Sequence, residues 1–189
     1  NNQSISITMG DDRLAAMATR YLIGKGHSRI GFIAGPKDYA VSGWRKQGWL
    51  DAMQEAGLET VGLCERGDFS FESGATTARA LLSKADRPTA IIASNDQMAM
   101  ATNSVAQELG LVVPDDLSLI SFDNSPVVRF VQPPLTAIDQ PVASTVSRAV
   151  ELLISVQRGE DMPEMPVVVD GDLVERESVA TLENSTADA

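Results

Sequence analysis

The sequence predicts an α/β protein with a parallel sheet covered by helices on both faces, and three observations point there. Short apolar runs such as Ile30–Ala34 and Ala90–Ala93 alternate with segments of helical periodicity. The connections between them are brief. Polar or aromatic residues also gather wherever a predicted strand ends: Gly35–Arg45 after Ile30–Ala34, Gly67–Ser70 after Leu63–Arg66, Ser94–Gln97 after Ala90–Ala93, and Phe122–Ser125 after Leu117–Ser121. In an open parallel sheet the carboxyl edge is where ligands bind. One ridge is therefore expected to gather Arg45, Phe69, Asn95 and Asp123, a set suited to a small polyhydroxylated ligand rather than to bond-breaking chemistry.

In chain order, Ser4–Thr8 alternates like a strand, and Asp11 or Asp12 is placed to cap a helix carrying Leu14, Met17, Ala18, Tyr21 and Leu22 at helical spacing. Gly24 and Gly26 end that helix, and the strand Ile30–Ala34 follows. Ser42 is expected to open a second helix running to Ala56 and stopped at Gly57. Ser70 is the cap of a third over Glu72–Lys84, with Pro88 in the turn beyond. After the strand Ala90–Ala93, a fourth helix spans Asp96–Leu109 and closes at Gly110. Pro114-Asp115-Asp116 leads into the strand Leu117–Ser121, and Pro133-Pro134 then breaks the rhythm. A helix over Val142–Gln157, ended by Gly159, and short strands at Val167–Val169 and Leu173–Glu175 complete the order. The polar tail Glu183–Ala189 is expected to be disordered.

Composition narrows the function. The 189 residues are 43% hydrophobic and 22% charged, as in a globular protein with a real core. A net charge of -11, with 15 scattered basic residues, disfavours a direct nucleic-acid surface. No apolar run approaches the ~20 residues of a membrane span. Cys64 is the sole cysteine, so the chain has no internal disulfide and suits a reducing compartment. Metal-ligand spacing and glycine-rich phosphate loops are absent, so no metal or cofactor is expected. The chain opens Asn1-Asn2-Gln3 and reads as a piece of something longer.

Several phrases carry a resemblance. They are Gly26–Gly35, Arg45-Lys46-Gln47-Gly48-Trp49, Gly67-Asp68-Phe69-Ser70, Arg87-Pro88-Thr89-Ala90, Ser94–Ala99, Val113–Ser118, Phe122-Asp123-Asn124 and Pro133-Pro134-Leu135-Thr136. Together, in this order, they resemble the lactose/galactose repressor (LacI/GalR) family over Asp11 to Arg176, truncated at the amino end. The resemblance implies a periplasmic-binding-protein-like fold of type I, with a ligand clamped between two lobes joined by three crossovers. Here the crossovers are expected near Met9-Gly10, Asp139-Gln140 and Asp170-Gly171. Residues 1–9 and 139–170 would be a remnant of the first lobe, 10–138 and 171–180 the complete second lobe, and 181–189 a tail. The family's DNA-binding headpiece is missing from this stretch. The apolar stripe Val146, Val150, Leu153 and Ile154 calls for a sheet to cover it.

Each candidate has a plainer alternative. Arg45 offers a fork of donors for two hydroxyls or a carboxylate, or else a surface ion pair with Asp38 or Asp51. Asp123 can accept from paired ligand hydroxyls, or cap the next turn. Asn95 can bind ligand, cap the helix at Asp96, or do both. Phe69 stacks on a sugar or base ring, or is core. Trp44, Tyr39 and Gln140 stand near the same mouth. Asp96 is read as structural, and His27, at the opposite edge, as satisfying a buried backbone group. The greasy loop Val127–Val131 is either a core plug or a contact surface. Because the family implies homodimers, Val128, Phe130 and Val131 are expected at an interface, with helices Glu72–Lys84 and Gln97–Leu109 nearby.

The expected function is effector binding and dimerisation in a bacterial DNA-binding transcriptional regulator working in the cytoplasm. The effector is a sugar, sugar phosphate or nucleoside. DNA contact would come only through the absent headpiece, and no membrane is involved. The alternative is a periplasmic solute-binding protein of a sugar uptake system. An enzyme is disfavoured, since the ridge holds no nucleophile–base pair.

Overall fold

The computed structural model describes residues 6–160, 163 and 166–182. The predicted tail and the start of the first predicted strand lie outside these residues. Six strands form the main sheet in the order β3 (Cys64–Arg66), β2 (Ile30–Ala34), β4 (Ala90–Ala93), β5 (Ser118–Asp123), β6 (Thr136–Asp139) and β8 (Asp172–Val174). All neighbours are parallel except β6 and β8, which run antiparallel. Apart from this sheet, β1 (Ile7–Thr8) pairs in parallel with β7 (Val167–Val168), and α5 (Val142–Gln157) rests against β1.

Alternation along the strands divides the core in two, because successive side chains leave a strand on opposite faces. Phe32, Ile92, Ile120, Phe122 and Ile138 join Leu14, Ala18, Leu22, Trp49 and Met53 on the face covered by α1 (Asp11–Gly24) and α2 (Ala40–Glu55). Ile33, Ile91, Leu119 and Ala137 join Leu81, Met98 and Val105 on the other face, beneath α3 (Phe71–Leu82) and α4 (Asp96–Glu108). Each large apolar side chain buried this way contributes roughly 1.5–3 kcal/mol. The parallel sheet clad on both faces is thus present as expected.

Several local expectations are corrected. Neither Asp11 nor Asp12 caps α1; the cap position is Gly10, in the left-handed region at φ 63. Asp11 is instead buried, for a reason given below. Helix α2 opens at Ala40 rather than Ser42, and the Ser42 hydroxyl is buried without a hydrogen-bond partner among the described residues. Strand β5 runs on through Phe122 and Asp123, which were expected in the turn. Strand β6 was not anticipated, because Pro133-Pro134 reads as a break and the run behind it is brief. Its register with β5 sets Asp123 opposite Asp139. Ser70 does cap α3, accepting from the Ser73 amide at 3.1 Å.

His27 is 2% exposed, between Thr89 Oγ1 at 2.9 Å from Nδ1 and the Ala180 carbonyl at 3.3 Å from Nε2. Burial lowers its pKa below the ordinary 6.5, opposed by the Ala180 carbonyl. The unfolded chain therefore takes up this proton first as pH falls. His27 contributes stability above its ordinary value, and that contribution is lost as pH drops below it. Urea midpoints at about pH 7.5 and about 5.5 should differ in this direction, and His27→Gln should reduce the difference. An unchanged pH dependence in the variant would contradict this.

Candidate ligand-binding site

The rim is built from the carboxyl ends of β2, β4 and β5 and the helix starts that follow them. Arg45 lies in the second turn of α2 and is only 5% exposed. Its Nε donates to Asp11 Oδ1 at 2.8 Å, while Nη1 donates to the Ser94 carbonyl and stands 3.8 Å from Asp123 Oδ1. The guanidinium also lies 4.4 Å from the Phe122 ring centroid, where the ring face attracts a cation. Neither Asp38 nor Asp51, the partners weighed from sequence, pairs with it. Asp11 is the partner that sequence reasoning missed, since nothing in the spacing links residues so far apart. The remaining nitrogen, Nη2, has no hydrogen-bond partner among the described residues.

Asp123 ends β5 with φ 91 and a half-exposed carboxylate. Its Oδ1 accepts from Gln140 Nε2 at 3.0 Å. Burial pushes its pKa up, Arg45 pulls it back, and Asp96 and Asp11 push it up again. Asn95 caps α4, accepting from the Met98 amide at 2.9 Å, while its Nδ2 donates to the Phe69 carbonyl at 2.9 Å. An amide nitrogen carries two hydrogens; no described residue takes the second. Asp96 is structural, as expected: it accepts from the Ser121 hydroxyl and from the hydroxyl and amide of Ser125, tying the start of α4 to the end of β5.

Phe69 has a backbone φ of 74, unusual for a bulky residue. Its turn is fixed by Asp68, whose carboxylate accepts from the Ser70 amide and is held well below the usual range by Ser70 and Ser73. The ring lies on the bare backbone of Gly35, where a Cβ would come within 2.2 Å of it, and meets Tyr39 edge-on at 5.9 Å. Positive-φ non-glycine residues among those described are Phe69, Asp123 and Asn124. Such backbone strain clusters at ligand sites, and two of the three are rim candidates.

Contacts thus link Arg45 through Ser94 to Asn95, Asn95 to Phe69, Phe69 to Tyr39, and Asp123 to both Arg45 and Gln140. Trp44 and Gln140 line a hollow of about 620 Å³ together with Asp11, Thr8, Val41 and Thr145, but Arg45, Phe69, Asn95 and Asp123 do not line it. A larger hollow of about 760 Å³, beside α1 and α2, contains none of the rim candidates. Its arginines already hold carboxylates, Arg13 with Asp170 at 2.8 Å and Arg20 with Glu55 at 2.7 Å.

The loop after Asp123 divides the apolar cluster expected at an interface. Val128 is fully buried and packs in the core beneath the sheet, so its side chain does not present itself to a partner. Val131 is partly buried against the same core, whereas Phe130 is 85% exposed. The plug reading therefore holds for Val128, while Phe130 is left exposed.

In open α/β sheets of this kind ligands bind at the carboxyl edge, where this polar, partly strained rim lies. The comparisons agree: the family model for periplasmic binding protein-like domains matches residues 19–179. The PurR HTH-type transcriptional repressor of Edwardsiella ictaluri is 44% identical over 101 residues, covering 53% of this chain and 30% of that protein. A LacI-family regulatory protein from Chloroflexus aggregans superposes with a TM-score of 0.88 at 34% identity, over 95% of this chain and 66% of that one. The CelR regulator in its cellobiose complex gives 0.84 at 32% identity, over 94% and 55%. The chain belongs to the periplasmic binding protein-like domain family, in its LacI/GalR regulator branch. It spans about a third of the length of the curated relatives it matches. Among the described residues, no helix is long and apolar enough to cross a membrane.

Proposed function

We propose that this chain is the effector-binding and dimerisation part of a cytoplasmic bacterial transcription regulator. A sugar-like molecule or nucleoside is held at the rim, and no catalysis takes place there. The observation that carries this reading is the Arg45 guanidinium: clamped by Asp11, flanked by Asp123, and with Nη2 unpartnered among the described residues. A hydroxyl pair can accept from Nη2 and donate to Asp123 while Phe69 packs against the apolar face of the ring. The named relatives are repressors, which favours this reading over a transporter's solute-binding protein.

In this reading the β1–β7 pair and α5 belong to a first lobe and the six-stranded sheet to a second, with the ligand between them. The exposed stripe of α5, including Val146, Val150 and Leu153, packs against the rest of the first lobe in the full-length protein. Ligand binding biases the angle between lobes and so repositions a DNA-binding headpiece, which requires different affinity in the two states. Phe130 contributes to a homodimer surface.

Asp123→Ala in the full-length protein should abolish the response of DNA binding to effector while leaving operator binding intact. A thermal-shift screen against sugars, sugar phosphates and nucleosides identifies the effector for that assay. A variant that still responds fully would refute the assignment of Asp123.

A further inference from the structure

We propose that the effector meets this wall with an uncharged face, so that the site selects neutral polyols or nucleosides against their phosphorylated or carboxylated counterparts. The inference rests on the effector-binding reading above and adds the ligand's charge. Arg45 is the cation at the centre of the rim, and its charge is already shared. Asp11 lies 2.8 Å from Nε and Asp123 3.8 Å from Nη1. Behind Asp123 stands Asp96, its oxygens taken by Ser121 and Ser125. Beside it stands Asp139, its register partner, and beyond that Asp172, opposite Asp139.

The other cations nearby are engaged with the protein, although Arg176 lies close enough to Asp96 and Asp139 to offset part of their charge. Arg176 donates to Asn124 and to the Leu135 carbonyl, and Arg66 donates to the Gly35 carbonyl. Lys37, in the exposed loop after β2, is followed at once by Asp38. A phosphate or carboxylate reaching for the Arg45 fork must therefore come up beside the Asp123 carboxylate, to a guanidinium whose charge Asp11 already shares. Burial already disfavours the charged form of Asp123, and Asp96 and Asp11 add to that, so another negative charge compounds an existing cost. A hydroxyl pair meets no such opposition, since it accepts from the guanidinium and donates to the carboxylate.

The test is calorimetric titration of the full-length protein with matched pairs: glucose and glucose 6-phosphate, ribose and ribose 5-phosphate, adenosine and adenosine monophosphate. In the pair that binds, the neutral member should be tighter by on the order of a hundredfold, roughly 2.8 kcal/mol. Asp123→Asn should shrink that ratio to about tenfold or less. Raising the salt should strengthen binding of the phosphorylated member, because screening weakens repulsion. This check needs no variant. A phosphorylated member that binds as tightly as its neutral partner, or weakens with salt, overturns the proposal. A ratio unchanged in a folded Asp123→Asn variant overturns its assignment to this wall. Binding by no sugar, sugar phosphate or nucleoside in the thermal-shift screen would instead sink the effector reading itself, and the proposal with it.

Discussion

Arg45→Ala is expected to lower the unfolding free energy by about 3–5 kcal/mol, the usual range when one partner of a buried ion pair is removed. The side chains of Arg45 and Asp11 are each only 6% exposed, so the truncation strands a carboxylate where water barely reaches. It also removes the donor that holds the Ser94 carbonyl beside Asn95. Effector binding should vanish with it. Arg45→Lys should recover little, because a point-charge ammonium cannot span Asp11, Ser94 and a ligand as the planar fork does. Adding Asp11→Asn to Arg45→Ala should restore part of the lost stability without restoring binding. Urea unfolding with titration separates the two effects; a loss under about 1 kcal/mol would show that the pair is not buried as described.

Gly48→Ala is the second large effect. A Cβ at this position would sit 1.8 Å from the Asp12 carbonyl oxygen and 2.7 Å from its carbon, both backbone atoms that cannot rotate aside. Helices α1 and α2 must separate to admit it, at about 3 kcal/mol by the measure of overpacked cores. The damage reaches the rim, because Asp11 precedes Asp12 on one helix and Arg45 lies one turn before Gly48 on the other. Loss of thermal stability together with weakened effector binding is expected. A variant with wild-type melting would mean the helices are not packed so closely.

This contact also gives physical content to the phrase Arg45-x-x-Gly48-Trp49. Gly48 lets α1 approach, and Trp49 is buried against Phe32, the rings 5.5 Å apart and stacked. Arg45 faces the rim from the same helix. That phrase was legible in the sequence, as were β2, β4 and α5, whose bounds match because apolar runs and glycines delimit them. The capping roles of Ser70 and Asn95 were legible too, since a cap acts within three residues of itself. The rest depends on residues distant in the chain. Asp11 reads as a helix cap until Arg45 is seen to take its carboxylate, and Val128 reads as surface until the sheet closes over it. The fold brought the four ridge residues into one contact chain, but their sharing of Arg45's charge with Asp11 could not be read from spacing.

Phe69 and Gly35 form a single unit although separate strands deliver them. The ring rests where the glycine has no side chain, and its own backbone is twisted into the left-handed region to put it there. Anyone seeking to redesign ligand preference by exchanging the aromatic residue therefore inherits a constraint from the other strand. A broader indole or a shorter aliphatic group would have to suit that bare patch of main chain before it could suit any new molecule.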